Sequence, residues 1–213
     1  MCAQRTKTRL GFFLVVVVLV LTAVPSAEAA ESDELEINIK ARAISALNIS
    51  RATADLIDIR VTRWSTDEER DELVQMLESK GNHALAAALN EIEGTGWARF
   101  DPRGGGGPGR DPRKTTLRYA REVDLGDTKE VILITNHYIG YGPDPQAADG
   151  AKLAEYPLSF VLLRFHQDDK GGWKKGIGRM FVGAKIRFDS SGGKFVIDAF
   201  PTDPVYLKDV TFK

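Results

Sequence analysis

Three groupings in the sequence carry side chains able to do chemistry. In FDPRGGGGPGRDPRKT, residues 100–115, Gly104, Gly106 and Gly109 satisfy G-x-G-x-x-G, the spacing of loops that cradle phosphate. His137 and His166, with Asp168 two residues beyond His166 on the same strand face, offer nitrogen and oxygen ligands to a divalent metal if their strands pair in register; that arrangement would serve a metal-dependent hydrolase. Tyr138, Tyr141 and Tyr156 surround Gly142-Pro143-Asp144-Pro145 in a long connection, 140–156, and tyrosines bring contact area and a hydroxyl at low entropic cost, which suits a binding rim. No G-x-S-x-G, H-E-x-x-H or calcium-loop pattern accompanies them.

A phosphate loop works because a buried strand delivers it and a helix leaves it, aiming unpaired N–H groups at the anion. Upstream of the glycines, Trp97 to Phe100 is short and closed by Pro102, and no Lys-Ser or Lys-Thr follows Gly109. Downstream, Leu117, Tyr119 and Val123 alternate with Arg118, Ala120 and Glu122, which predicts a strand. The stretch therefore reads as a connection between strands. Its cations are a separate matter: Arg99, Arg103, Arg110, Arg113, Lys114, Arg118 and Arg121 stand against only Asp101 and Asp111 before Glu122. Within the loop itself Arg103, Arg110 and Arg113 offer contact with anionic envelope material.

Composition narrows the classes further. The 29 basic side chains are matched by 30 acidic ones, without the basic excess of a general nucleic-acid binder. Arg5, Lys7 and Arg9 precede the apolar run from Leu10 to Leu21, and Pro25 and Ala27-Glu28-Ala29 follow it as a breaker and a small-x-small cleavage pattern. Residues 1–29 thus read as an export signal, with no transmembrane segment left after cleavage and a secreted or periplasmic destination. The only cysteine, Cys2, lies in that leader. The remainder, 30–213, has no disulfide, thiolate or cysteine zinc site available and must be held by an apolar core, as one domain.

That core is patterned for strands. Leu35, Ile37, Ile39, Ala41 and Ala43 alternate with Glu36, Asn38, Lys40 and Arg42, and the parity resumes in Ile57, Ile59 and Val61, so the two runs predict a hairpin. The period then changes. Thr66 stands three residues before Glu69, a capping-box spacing, and Leu73, Val74, Met76 and Leu77 follow at helical intervals up to Gly81. Asn82 is placed to cap a second helix carrying Leu85, Ala88, Leu89 and Ile92. Further strands are predicted at 96–100, 115–124, 130–139, 157–166, 174–189, 194–200 and 205–212, joined by short polar turns that imply antiparallel neighbours. The runs at 131–134 and 160–163 lack clean alternation, as expected of central strands covered on both faces. The fold class is mainly β (α+β): an antiparallel β-sandwich or partly closed barrel of about nine strands with a helical hairpin inserted at about 66–93.

The stretch from Thr62 to Arg70, with Leu117-Arg118-Tyr119-Ala120-Arg121 and Pro204-Val205-Tyr206-Leu207-Lys208-Asp209-Val210, resembles a group of exported bacterial proteins of similar length and unknown function. The resemblance implies export and supplies no activity or site residues. With no catalytic constellation and no cofactor motif, the leading expectation is an exported, non-enzymatic binding domain whose partner is a small ligand or another protein. A closed barrel would enclose an apolar ligand, whereas a filled one would bind through its surface.

Overall fold

The computed structural model describes residues 36–44, 55–101, 114–139, 154–167 and 175–212. The leader, Tyr141, Arg103, Arg110, Arg113 and Asp168 lie outside the described residues. Ten strands and two helices follow in order: β1 (Ile37–Ile44), β2 (Asp55–Val61), α1 (Asp67–Lys80), α2 (Asn82–Glu91), β3 (Gly96–Asp101), β4 (Lys114–Leu117), β5 (Tyr119–Asp124), β6 (Thr128–Thr135), β7 (Leu158–His166), β8 (Gly176–Asp189), β9 (Lys194–Ala199) and β10 (Val205–Phe212). All pairings are antiparallel. Nine of the strands form one path, β4-β3-β2-β1-β10-β8-β7-β6-β5, while β9 pairs with β8 alone. The result is a nearly closed, barrel-like sheet with a helical hairpin, as the patterning predicts.

The two ends of the path are one stretch of chain. The sequence predicts a single strand at 115–124, but Arg118 belongs to neither ladder, so β4 pairs with β3 and β5 with β6. Leu117 and Ala120 both pack inside while Tyr119 packs outside, which is a one-residue slip in the alternation. Arg118 N–H donates to the Ile134 carbonyl at 3.0 Å and Thr135 Oγ1 to the Thr116 carbonyl at 2.8 Å, tying the seam. A second slip occurs in β8. Leu158 faces Ala184 and Ser159 faces Val182, leaving Gly183, at φ 78°, unpaired between them. Val182 packs against the inner cluster and Ala184 in the outer one, so the last part of β8 turns away from the barrel and carries β9 with it.

The inner face gathers nineteen buried apolar side chains from nine strands and the segment after β6, including Ile39, Ile57, Ile59, Val131, Leu133, Val161, Leu163, Met180 and Leu207. All but Val205 are 2% exposed or less. A hollow of ligand size would leave accessible surface on the side chains around it. The interior is packed with the chain's own residues, among them the Phe165 and Phe212 rings 4.1 Å apart.

The outer cluster lies between the sheet and the helices. Leu73 and Leu77 of α1 and Leu85 and Leu89 of α2 pack with Ile132, Ile134, Leu158, Phe160, Phe181 and Phe195. This explains why the β6 and β7 runs do not alternate: both of their faces are covered. At the start of α1, Thr66 Oγ1 accepts from Glu69 N–H and the Glu69 carboxylate accepts from Thr66 N–H, completing the expected capping box. Arg63 clamps both ends of the hairpin, donating to Glu69 through two nitrogens at 2.9 Å and to the Glu93 carbonyl at 2.6 Å.

Candidate functional site

The outer wall carries its polar chemistry on two adjacent rows. Across β6, β7 and β8 the register aligns Glu130 with Arg164 and Arg164 with Ile177, and the neighbouring row aligns Ile132, Leu162, Arg179 and, on β10, Tyr206. Above this wall runs the β9 ribbon. Between them lies a cleft of about 230 Å³, floored by Ile132, Phe160, Leu162 and Phe181 and bounded by Lys194 to Ile197 of β9.

Glu130 sits at the polar end of the cleft with its side chain only 2% exposed. Its Oε1 accepts from Arg164 Nε at 3.0 Å and Nη2 at 2.5 Å, and its Oε2 accepts from Lys194 Nζ. Burial pushes its carboxyl up, but the hydrogen bonds and charges of Lys194 and Arg164 outweigh burial and hold it below its ordinary value. A carboxylate locked in the ionised state by two cations is a poor proton donor. It anchors β9 to the wall. Arg179 differs from its two neighbours: among the described residues no carboxylate pairs with it, and its guanidinium lies 6.0 Å from the centre of the Tyr206 ring. The mouth of the cleft is therefore cationic and apolar at once, with Ile177, Phe200 and Tyr206 exposed around it.

The residues singled out from sequence are distributed differently. His166 ends β7 opposite Thr128, with Thr128 Oγ1 3.2 Å from its Nδ1, whereas His137 follows the other end of β6, beyond the Thr135–Ser159 pair. The full length of β6 separates them, roughly 20 Å or more at about 3.3 Å per residue. One metal ion cannot take both at this register, and Asp168 lies outside the described residues. No cluster of three or more metal-ligating side chains occurs among the described residues.

Tyr138 and Tyr156 do fall at one end of the β6–β7 pair. The Tyr138 carbonyl accepts from Thr115 Oγ1, and the Tyr156 ring carries Lys185 Nζ 4.8 Å above its centre. The strand nature of β3 and β4, paired with each other on either side of 102–113, agrees with reading the glycines as a connection rather than a strand-to-helix phosphate loop. Of the cations around it, Arg99 pairs with Asp58, Arg118 donates to the Ile92 carbonyl, and Arg121 pairs with Asp67. These three serve the fold.

Sequence reasoning missed the Glu130 cleft. One signal was present: Glu130 shares strand parity with Ile132 and Ile134, which marks an acid on a face otherwise apolar. The chain matches no protein-family model, no curated protein and no solved structure.

Proposed function

We propose that the protein is an exported, non-enzymatic interaction domain that engages another macromolecule through its outer surface. The observation that carries this reading is the packed interior: inner side chains such as Ile57, Val61, Leu133, Val161 and Met180 have no accessible wall to offer an enclosed molecule. The cleft under β9, about 230 Å³, also falls below the ~300–1,000 Å³ usual for a site that swallows a whole small ligand. What remains is surface. The leader pattern of residues 1–29 and the resemblance to exported bacterial proteins support a secreted or periplasmic setting.

Native mass spectrometry of the protein isolated from its own host tests the reading. The mass of the bare processed chain is the expected result. A stoichiometric small molecule retained with the protein would contradict it, because the barrel would then be a carrier.

A further inference from the structure

The two rows of the outer wall run on past the cleft, across β10, β1 and β2. One continues from Arg179 to Tyr206 and then to Ile44. The other reaches Ile177, then Lys208 and Asp209, which stand opposite it between the Leu207–Gly178 and Val210–Gly176 pairs, and then Arg42 and Leu56. Ala43 and Leu207 point into the barrel, so Arg42 and Ile44 on either side of the first, and Tyr206 and Lys208 on either side of the second, point out. Phe200, just past β9, joins at one end, its ring 4.9 Å from that of Phe181.

Apolar and cationic side chains are interleaved on this face. Ile44, Leu56, Ile177, Phe200 and Tyr206 are five of the six large exposed apolar side chains among the described residues. Singly such residues need no explanation, but a contiguous group marks a surface that something covers. Of the cations, Arg42 pairs with Asp209 and Arg164 with the buried Glu130. Arg179 and Lys208 are exposed and have no carboxylate partner among the described residues.

We propose that this face docks onto a bilayer surface bearing anionic lipid headgroups. The inference goes beyond the interaction reading and rests on its export step, which brings the chain to an envelope with a membrane. Ile177, Phe200 and the Tyr206 ring enter the boundary between headgroups and acyl chains, where a tyrosine keeps its hydroxyl wet. Arg179 and Lys208 stay at the level of the phosphates, their stems lying along the apolar side chains.

Size decides against a protein in this place. Five strands ~4.8 Å apart and about four residues along each span roughly 19 by 13 Å, on the order of 250 Å². That is about a third of the ~800 Å² each partner gives to a stable protein interface. A bilayer needs neither that area nor a matching contour. A second copy of this chain fails on the same count, and a two-fold contact would also set the unpaired cations of the patch against themselves.

The test uses the protein isolated from its own host and vesicles of phosphatidylglycerol and phosphatidylcholine in equal proportion. Co-sedimentation should show binding, at least ~10-fold weaker on vesicles of phosphatidylcholine alone. Arg179→Glu should weaken binding by ~10-fold or more and Ile177→Ser by ~5-fold or more, both with wild-type unfolding temperatures because the side chains are exposed. Cys2 lies in the leader, so one cysteine introduced into the processed chain takes a polarity-sensitive label. A label at Ile177→Cys should shift to the blue on the mixed vesicles, and one at Glu68→Cys, beside the Asp67 that pairs with Arg121 of β5, should not. No binding to the mixed vesicles, equal binding by the variants, or a label at 177 that stays in water overturns the proposal. So does loss of binding in Arg179→Glu without loss in Ile177→Ser, which would make an acidic protein the partner. Native mass measurement addresses the interior and vesicle binding addresses this face, so the two ideas fail separately.

Discussion

Asn82 and Ile186 lie 104 residues apart, and the asparagine side chain nevertheless acts as a strand partner for the isoleucine backbone, donating to its carbonyl and accepting from its N–H. The sequence places Asn82 as the cap of the second helix. In the structure Gly81 precedes the helix without a side-chain cap, and Asn82, its first residue, spends its amide on β8. Asn82→Ala leaves both backbone groups of a buried residue without partners and should cost about 1–3 kcal/mol in urea unfolding. Asn82→Asp keeps the acceptor but loses the donor, and should not recover the wild-type value. Full stability in the alanine variant would show that the contact does not hold the ribbon.

The Glu130 anchor makes stability depend on pH. Its carboxyl is held below the ordinary 4.5 in the folded chain, so the anchor contributes stability that is fully present above 4.5 and is lost as pH falls through the folded value. Glu130→Gln should therefore cost about 1–3 kcal/mol near neutrality, and its deficit against wild type should shrink as the pH falls below 4.5 and through the lowered folded value. Paired unfolding curves across that range check it; a deficit that stays constant would mean that Glu130 does not titrate as the anchor requires.

Gly96 pairs with Val61 at φ 146°, and a Cβ placed there would lie 1.9 Å from the Arg60 carbonyl oxygen. Neither the backbone angle nor the neighbour accommodates a side chain. Gly96→Ala should destabilise by about 3 kcal/mol or more, read from thermal or urea unfolding. A loss below ~1 kcal/mol would mean that β3 approaches β2 less closely than described.

Tyr119 presents the opposite case. Its ring is fully buried, edge-on to Phe195 at 5.2 Å, and burial pushes its hydroxyl up to about 12. Among the described residues that hydroxyl has no hydrogen-bond partner of ordinary geometry, although the Arg121 side chain lies near enough to oppose the upward push of burial. Tyr119→Phe retains the ring contact and removes an unpaired polar atom, so stability should stay within ~0.5 kcal/mol or rise by up to ~1 kcal/mol. A loss of more than ~1 kcal/mol would show that the hydroxyl is bonded after all.

Much of the fold was legible because local rules governed it. The alternation of Ile37, Ile39, Ala41 and Ala43 returned as β1, its hairpin partner as β2, and Thr66 with Glu69 as a complete capping box. Those features involve residues close in sequence. What was illegible depended on long-range register. Nothing local reveals that Arg118 breaks one predicted strand into two edges of the same sheet, or that Gly183 shifts the end of β8 outward. The same limit hid the site: Glu130, Arg164 and Lys194 come from three strands, and only their alignment makes a cleft. His137 and His166 show the converse, since both stand next to or within paired strands and yet at opposite ends.

The central claim is that the barrel is filled by its own side chains, and overpacking tests it most directly. Ala41 and Ala98 point inward from β1 and β3 with 2% and 0% exposure. Replacing each by leucine forces extra methylenes into a packed interior, and the account predicts a loss of about 1–3 kcal/mol apiece in urea unfolding. Unchanged or increased stability in both variants would contradict it, because only an empty barrel has room for the added side chains.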